Sequence, residues 1–276
     1  MKKILLGMLV IAGMAVNAQS ELVSKNGFPI LPEAGDFAIG IDATPFLTYA
    51  GQLLGGNANT APSFGYTANR PMMITGKYMV DETTAYRASF RLGFGTNSHS
   101  SYVQQDGQAD PLVTVEDKMS TSGFNLGLGA GLEKRRGNGR LKGIYGAQAL
   151  ITVTTSSDSY TYGNPLTNGS ATRTDFSTGT VGTVSGSVMD DSQGMRFGFG
   201  AEAFVGAEYF FAPKFSISGE FTYGLALVTQ GDGSVTTQSW DGANNSVKTS
   251  TATSGGSFSF GLDTGVSGVI AINMYF

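Results

Sequence analysis

From Tyr86 to Gly95 the residues divide strictly by parity. Tyr86, Ala88, Phe90, Leu92 and Phe94 are apolar, while Arg87, Ser89, Arg91, Gly93 and Gly95 are charged, small or polar. A period of two is the pattern of a β-strand whose faces meet different surroundings. The pattern recurs with Phe124, Leu126, Leu128, Ala130 and Leu132 set against Asn125, Gly127, Gly129, Gly131 and Glu133. It closes the chain, where Ile270, Ile272, Met274 and Phe276 alternate with Ala271, Asn273 and Tyr275. Strands this long, each with one face fully apolar, need an apolar medium on that side. A closed barrel in a membrane supplies the medium and pairs every backbone group.

Eight such segments are predicted, over 36–46, 71–80, 84–97, 121–134, 140–155, 195–211, 215–230 and 256–276. The links between them sort by length. Asp81-Glu82-Thr83, Arg136-Gly137-Asn138-Gly139 and Ala212-Pro213-Lys214 are short, and Asn138-Gly139 is a tight-turn signal. The others, 47–70, 98–120, 156–194 and 231–255, are long, and short alternates with long. An up-and-down transmembrane barrel with brief turns at one rim and long loops at the other predicts that order. A β-sandwich has no reason to sort its loops this way. The expected fold is therefore an all-β, eight-stranded antiparallel up-and-down transmembrane β-barrel. Its even strand count places both termini on the periplasmic side.

Composition agrees. Only 14% of the 276 residues are charged and 41% are hydrophobic, where about 25% charged is usual. Residues 1–18 read as a secretory signal peptide: Lys2 and Lys3 lead an apolar run, and Val16-Asn17-Ala18 is a small-residue cleavage site. Residues 19–35 are then a periplasmic N-terminal segment and 36–276 the barrel. Losing Lys2 and Lys3 takes the net charge from −4 to −6, which argues against nucleic acid as a partner. Cysteine is absent, so disulfides play no part.

The inward parity carries Asp42, Lys77, Arg87, Arg91, Glu133, Arg196, Glu202, Glu208, Glu220 and Asp263. Bases lie mainly on the second and third segments and acids on the sixth to eighth. Across an eight-stranded barrel the second faces the sixth and the third faces the seventh. Lys77 is thus expected to meet Glu202 or Glu208, and Arg87 or Arg91 to meet Glu220. Buried charges need partners, and so narrow a barrel has room only for side chains. The set is expected to plug the lumen. Outward parity places Phe37, Tyr78, Tyr86, Tyr209, Phe215 and Phe276 at the turn-side ends of their strands, as a periplasmic aromatic girdle.

With these features the chain resembles small bacterial outer-membrane barrels of the OmpA/OmpX kind. Gly35–Leu47 (GDFAIGIDATPFL) and Ala207–Glu220 (AEYFFAPKFSISGE) resemble, more narrowly, uncharacterised outer-membrane barrels of the Bacteroidota. The resemblance implies outer-membrane lipid and lipopolysaccharide as surroundings. It also implies the barrel-assembly machinery as the reader of the C-terminal aromatic.

Other candidates are weaker. His99 lies beyond the third segment between Ser98 and Ser100, with Asp106 and Asp110 nearby. Neighbours in a Ser-rich loop do not supply the geometry of a catalytic triad, and no enzyme activity, cofactor or metal is expected. Thr180–Val188 alternates well enough to extend a hairpin above the membrane. Trp240 is expected near Tyr160 and Tyr162 if the loops converge, a contact surface for glycans or proteins. Phe46–Leu54 has the apolar content of a short helix at the outer rim. The leading expectation is a structural or surface-interaction protein, an accessory subunit of an envelope complex or a binder of a surface ligand. The alternative is a narrow channel or small-solute transporter.

Overall fold

The computed structural model describes residues 22–43 and 74–276, the stretch 263–269 by its backbone alone. The expected signal peptide, the loop 47–70 and the Phe46–Leu54 helix lie outside the described residues. Among the described residues thirteen strands run in chain order: β1 Phe37–Asp42, β2 Ile74–Asp81, β3 Thr84–Gln104, β4 Thr114–Arg136, β5 Leu141–Thr161, β6 Ala171–Asp175, β7 Thr180–Val184, β8 Gly186–Ser192, β9 Arg196–Ala212, β10 Phe215–Gln230, β11 Gly233–Asp241, β12 Ser246–Ser254 and β13 Ser257–Tyr275. No helix among the described residues is long and apolar enough to cross a membrane, which says nothing of strands.

Eight strands close a ring, all pairs antiparallel: β1–β2–β3–β4–β5–β9–β10–β13 and back to β1. These are the eight predicted segments. Following the register around from Ala38, the partners are Lys77, Arg87, Gly131, Gln148, Glu202, Gly224 and Asp263. Asp263 lies twelve residues short of Tyr275, the residue that faces Ala38 directly. Closure of a ring requires such a stagger, which tilts the strands against its axis.

The expectation of eight strands is too low for the chain as a whole. β3, β4 and β5 run well past the predicted ends, so the link between β3 and β4 shrinks to 105–113. β8 pairs with the top of β5, β11 with β8, and β12 with β11. β6 and β7 form a separate hairpin. Thr180–Val188 is not one hairpin arm: it divides at Ser185 between β7 and β8.

The short links gather at one rim, with both described ends of the chain. Phe37 and Phe276 exchange backbone hydrogen bonds of 3.2 and 2.8 Å there. The link at 137–140 is looser than a two-residue Asn-Gly turn. Its left-handed residue is Gly137, at φ 135°, and neither Asn138 nor Gly139 is left-handed.

Inward glycines set how closely the wall packs. A Cβ on Gly146 would stand 2.0 Å from the Leu132 carbonyl oxygen and 2.7 Å from Cζ of Phe204. One on Gly206 would meet the Gly219 carbonyl oxygen at 2.1 Å. The missing side chains let Phe204, buried and inward, fill the interior.

Candidate functional site

Glu133 follows from strict parity on β4: the inward positions before it, 127, 129 and 131, are glycine, and the next inward residue after it is Arg135. Its carboxylate lies 3.0 Å from Lys77 Nζ, 2.9 Å from Arg135 Nε and 3.6 Å from Arg87 Nη1. Glu208 on β9 takes Arg135 Nη2 at 2.5 Å and Lys77 at 3.8 Å. Glu220 on β10 takes Arg87 Nη2 at 2.7 Å. Three cations and three carboxylates thus neutralise one another. Their side chains are between 0 and 10% exposed.

Neutral polar groups complete the cluster. Tyr275 Oη donates to Glu208 at 2.8 Å, Ser216 Oγ donates to the same oxygen, and Asn273 Nδ2 reaches it at 3.2 Å. Arg135 also donates to the Tyr275 hydroxyl. The Arg87 guanidinium sits 4.5 Å from the centre of the Phe204 ring. A buried carboxylate is tolerated only when paired and hydrogen-bonded in this way.

The ten charged residues expected inside do not all converge. Lys77, Arg87, Glu133, Glu208 and Glu220 do. Lys77 meets Glu208 as expected, but its nearest partner is Glu133, and Glu202 is not its partner. Arg87 takes Glu220. Arg91 instead donates to Asn125 Oδ1 at 2.8 Å, and Asn125 passes the contact to Thr154 at 3.1 Å. Glu202 accepts from Gln148. Asp42 is half-buried and Arg196 exposed, while the side chain of Asp263 lies outside the described residues. Arg135 was the missed member. It falls one residue past the predicted end of its strand, on the same parity as Glu133, and parity carried one step further would have found it.

Below the charges an apolar layer closes the turn-side rim. Ile30, Ala38, Met79, Ala85, Phe210 and the Tyr275 ring pack together, with Leu22 and Leu31 against them. Residues 22–36 therefore cross beneath the ring rather than hanging free of it. The crossing is pinned by Lys214, which pairs with Asp36 and lies 3.7 Å from Glu33. The backbone amide of Lys214, left-handed at φ 61°, donates to the Ile30 carbonyl at 3.1 Å.

Outside, Phe37, Tyr78, Tyr86, Tyr209, Phe215 and Phe276 are all exposed. Phe37, Tyr78 and Tyr86 are cross-strand neighbours in one row, and the Phe37 and Tyr78 rings lie 4.9 Å apart. A second row, not anticipated, lies towards the other rim. Phe94 faces Phe124 across β3 and β4, and Phe197 and Phe258 both face Thr229; all four are exposed. The rows are eight residues apart on β3 and twelve on β9. At about 3.4 Å per residue and a tilt near 45°, they stand roughly 19–29 Å apart along the axis.

Above the second row the strands form an ordered head. Asp117, fully buried on β4, accepts from the amides of Gly163 at 2.9 Å and Thr174 at 2.7 Å. Asn164 holds Asp106, Gln104 and Thr172 through three bonds of 2.8–2.9 Å. Arg173 donates to the Asn164 carbonyl and covers the Tyr162 ring at 4.5 Å. Burial pushes the Tyr162 hydroxyl up and the Arg173 guanidinium down from their ordinary pKa values.

Asp106 and Asp110 face backbone amides, those of Thr172 and Leu112, and the His99 ring stands edge-on to Phe176 at 6.2 Å. Tyr160 and Tyr162 stack at 6.4 Å. Trp240 reaches the same loop, but at Gly169, where a Cβ would meet its Cδ1 at 3.5 Å. Among the described residues no group of three or more His, Cys, Asp or Glu is placed to hold a metal ion. Comparison of the chain with protein-family models, curated proteins and solved structures gave no match.

Proposed function

We propose that this chain is a transmembrane β-barrel of a bacterial outer membrane, of the OmpA/OmpX kind, with a lumen closed by its own side chains. On this reading both termini and the short turns face the periplasm, and the head formed by β6–β8, β11 and β12 stands on the cell surface. The role is non-catalytic: a structural or surface-interaction protein, either an accessory subunit of a larger envelope complex or a binder of a surface ligand through its head. Its surroundings are outer-membrane lipid and lipopolysaccharide. Its C-terminal aromatic addresses the barrel-assembly machinery.

One observation carries the reading. The described ring strands turn mostly apolar side chains outward between two aromatic rows, while six inward charges neutralise one another. Exposed apolar surface on that scale is unusual for a chain in water. The spacing of the rows suits the apolar band of about 25 Å in such barrels. Inside, a neutral charge cluster, its side chains at most 10% exposed, above an apolar seal favours closure over conduction.

Purified, folded protein in planar bilayers tests closure. Insertion is first established by the heat-dependent gel shift and protease protection of reconstituted vesicles. Inserted protein is expected to be electrically silent. Steady unitary conductance steps would instead support the narrow-channel reading and refute the plug.

A further inference from the structure

Of the strands in the large sheet, β12 stands at the end of the order and, among the described residues, has a neighbour on one side only, β11. All nine of its residues, Ser246–Ser254, are exposed. Its pairing with β11 runs through nine consecutive residues without a bulge. It contains no proline, and its one charge is Lys248. Proteins usually protect such edges with proline, bulges, several charges or a covering loop, because a free row of backbone donors and acceptors recruits another strand. Among the described residues, β12 retains a single lysine of these devices.

We propose that β12 is a self-association edge, pairing antiparallel with β12 of a second copy about a two-fold axis at Ser250. A free edge selects an extended backbone as its occupant, and the side chains favour this one. With Ser250 on the axis, Lys248 stands opposite Ala252 of the second copy, so no like charges oppose. Val247 faces Thr253, Thr249 faces Thr251, and Ser246 faces Ser254. Thr–Thr and Thr–Ser pairs directly opposite are favourable. The same chemistry already joins β11 to β12, where Thr236 and Thr251 hydroxyls lie 3.0 Å apart and those of Thr237 and Ser250 3.2 Å.

Symmetry then dictates orientation. Antiparallel pairing reverses β12, so the second ring lies beyond the far end of the strand, about 30 Å along it for nine residues. Two copies in one membrane share an orientation and cannot pair this way. On the membrane reading proposed above, the contact joins apposed membranes. A nine-residue edge makes a small interface, weak for a single pair, and many pairs across two surfaces multiply it.

The absence of native cysteine makes the test clean. In detergent, Ser250→Cys is expected to form a disulfide dimer on mild oxidation. Lys248→Cys is expected to cross-link with Ala252→Cys but not with itself, since cysteines bridge only when their Cα atoms lie within about 7 Å. Val181→Cys, exposed on β7, serves as the collision control and is expected to give at least tenfold less dimer. Ser250→Lys places like charges on the axis and is expected to elute as a monomer wherever the parent associates. Vesicles in two colours carrying the protein are expected to cluster, and Ser250→Lys vesicles to stay dispersed. Cross-linking at 250 no better than at 181 would overturn the proposal. Dimers in detergent with unclustered vesicles would uphold the edge and refute the membrane orientation.

Discussion

Arg135 is the residue whose loss tells most about the interior. It contacts Glu133 at 2.9 Å, Glu208 at 2.5 Å and the Tyr275 hydroxyl, with its side chain 1% exposed. Arg135→Met keeps most of the aliphatic volume and removes the charge. The cluster falls from three cations and three carboxylates to two and three. Removing one partner of a buried pair costs about 3–5 kcal/mol, because the orphaned charge stays buried. Lys77 remains within 3.0 Å of Glu133 and 3.8 Å of Glu208 and offsets part of that. A loss of about 3 kcal/mol is therefore expected for the single variant. Glu208→Gln in the same background restores neutrality, so the double variant is expected to lie at least 1.5 kcal/mol above the sum of the singles, within the range such coupled pairs show. The measurement is urea unfolding in lipid vesicles, read by the heat-dependent gel shift. An Arg135→Met variant within about 0.5 kcal/mol of the parent, a typical surface effect, would refute the inference that the cluster is desolvated and mutually dependent.

Further perturbations probe other layers. Gly146→Val drives a branched side chain into the Leu132 carbonyl and Phe204; the folded gel band is expected to disappear or the unfolding midpoint to drop by several kcal/mol equivalents, beyond the usual 1–3 for overpacking. Ile30→Ala empties the seal under the ring, where Ile30 is 1% exposed. It is expected to cost about 2–4 kcal/mol, and an unchanged midpoint would mean that residues 22–36 do not pack there. Asp241 at the β11–β12 tip is held below the usual carboxylate pKa by hydrogen bonds from the Asn244 side chain and nearby amides. A depressed folded value contributes stability at pH above the ordinary 3.8, lost as pH falls through the folded value. The protection of the Ala243 and Asn244 amides, taken relative to intrinsic exchange at each pH, is expected to fall below about pH 4 in the parent and to show no such step in Asp241→Asn.

The ring was legible because each of its strands separates two environments, and period-two contrast reports that directly. Tyr86–Phe94 and Phe124–Leu132 show it without a break. The head was not legible for the complementary reason. β12, Ser-Val-Lys-Thr-Ser-Thr-Ala-Thr-Ser, is exposed on both faces, so its residues carry no contrast to read. β8 and β11 are half-buried along nearly their whole length, on both faces alike, and carry no contrast either. Pairing across the lumen was half legible. Counting strands around the ring predicted Lys77 with Glu202 or Glu208 and Arg87 or Arg91 with Glu220; Glu208 and Arg87 are the ones that pair. Glu133 comes within reach of both bases through local register instead: Arg87 faces Lys77 on one side, and Ala85, two residues away on the same strand, faces Glu133 on the other. Glu220 is taken by Arg87, and Arg91, further along the strand on the same parity, donates to the amide oxygen of Asn125 on the neighbouring strand.

The embedding of the outward face is tested most directly by single cysteines in this cysteine-free chain. Cysteines replacing Leu92, Leu128 and Val205 sit between the aromatic rows, one replacing Thr178 lies at the β6–β7 tip, and one replacing Glu82 lies in a short turn. In intact cells a membrane-impermeant maleimide is expected to label 178 alone. Breaching the outer membrane should add 82, and only detergent should expose 92, 128 and 205. Rapid labelling of 92, 128 and 205 in intact cells, at a rate equal to 178, would contradict a lipid-facing ring.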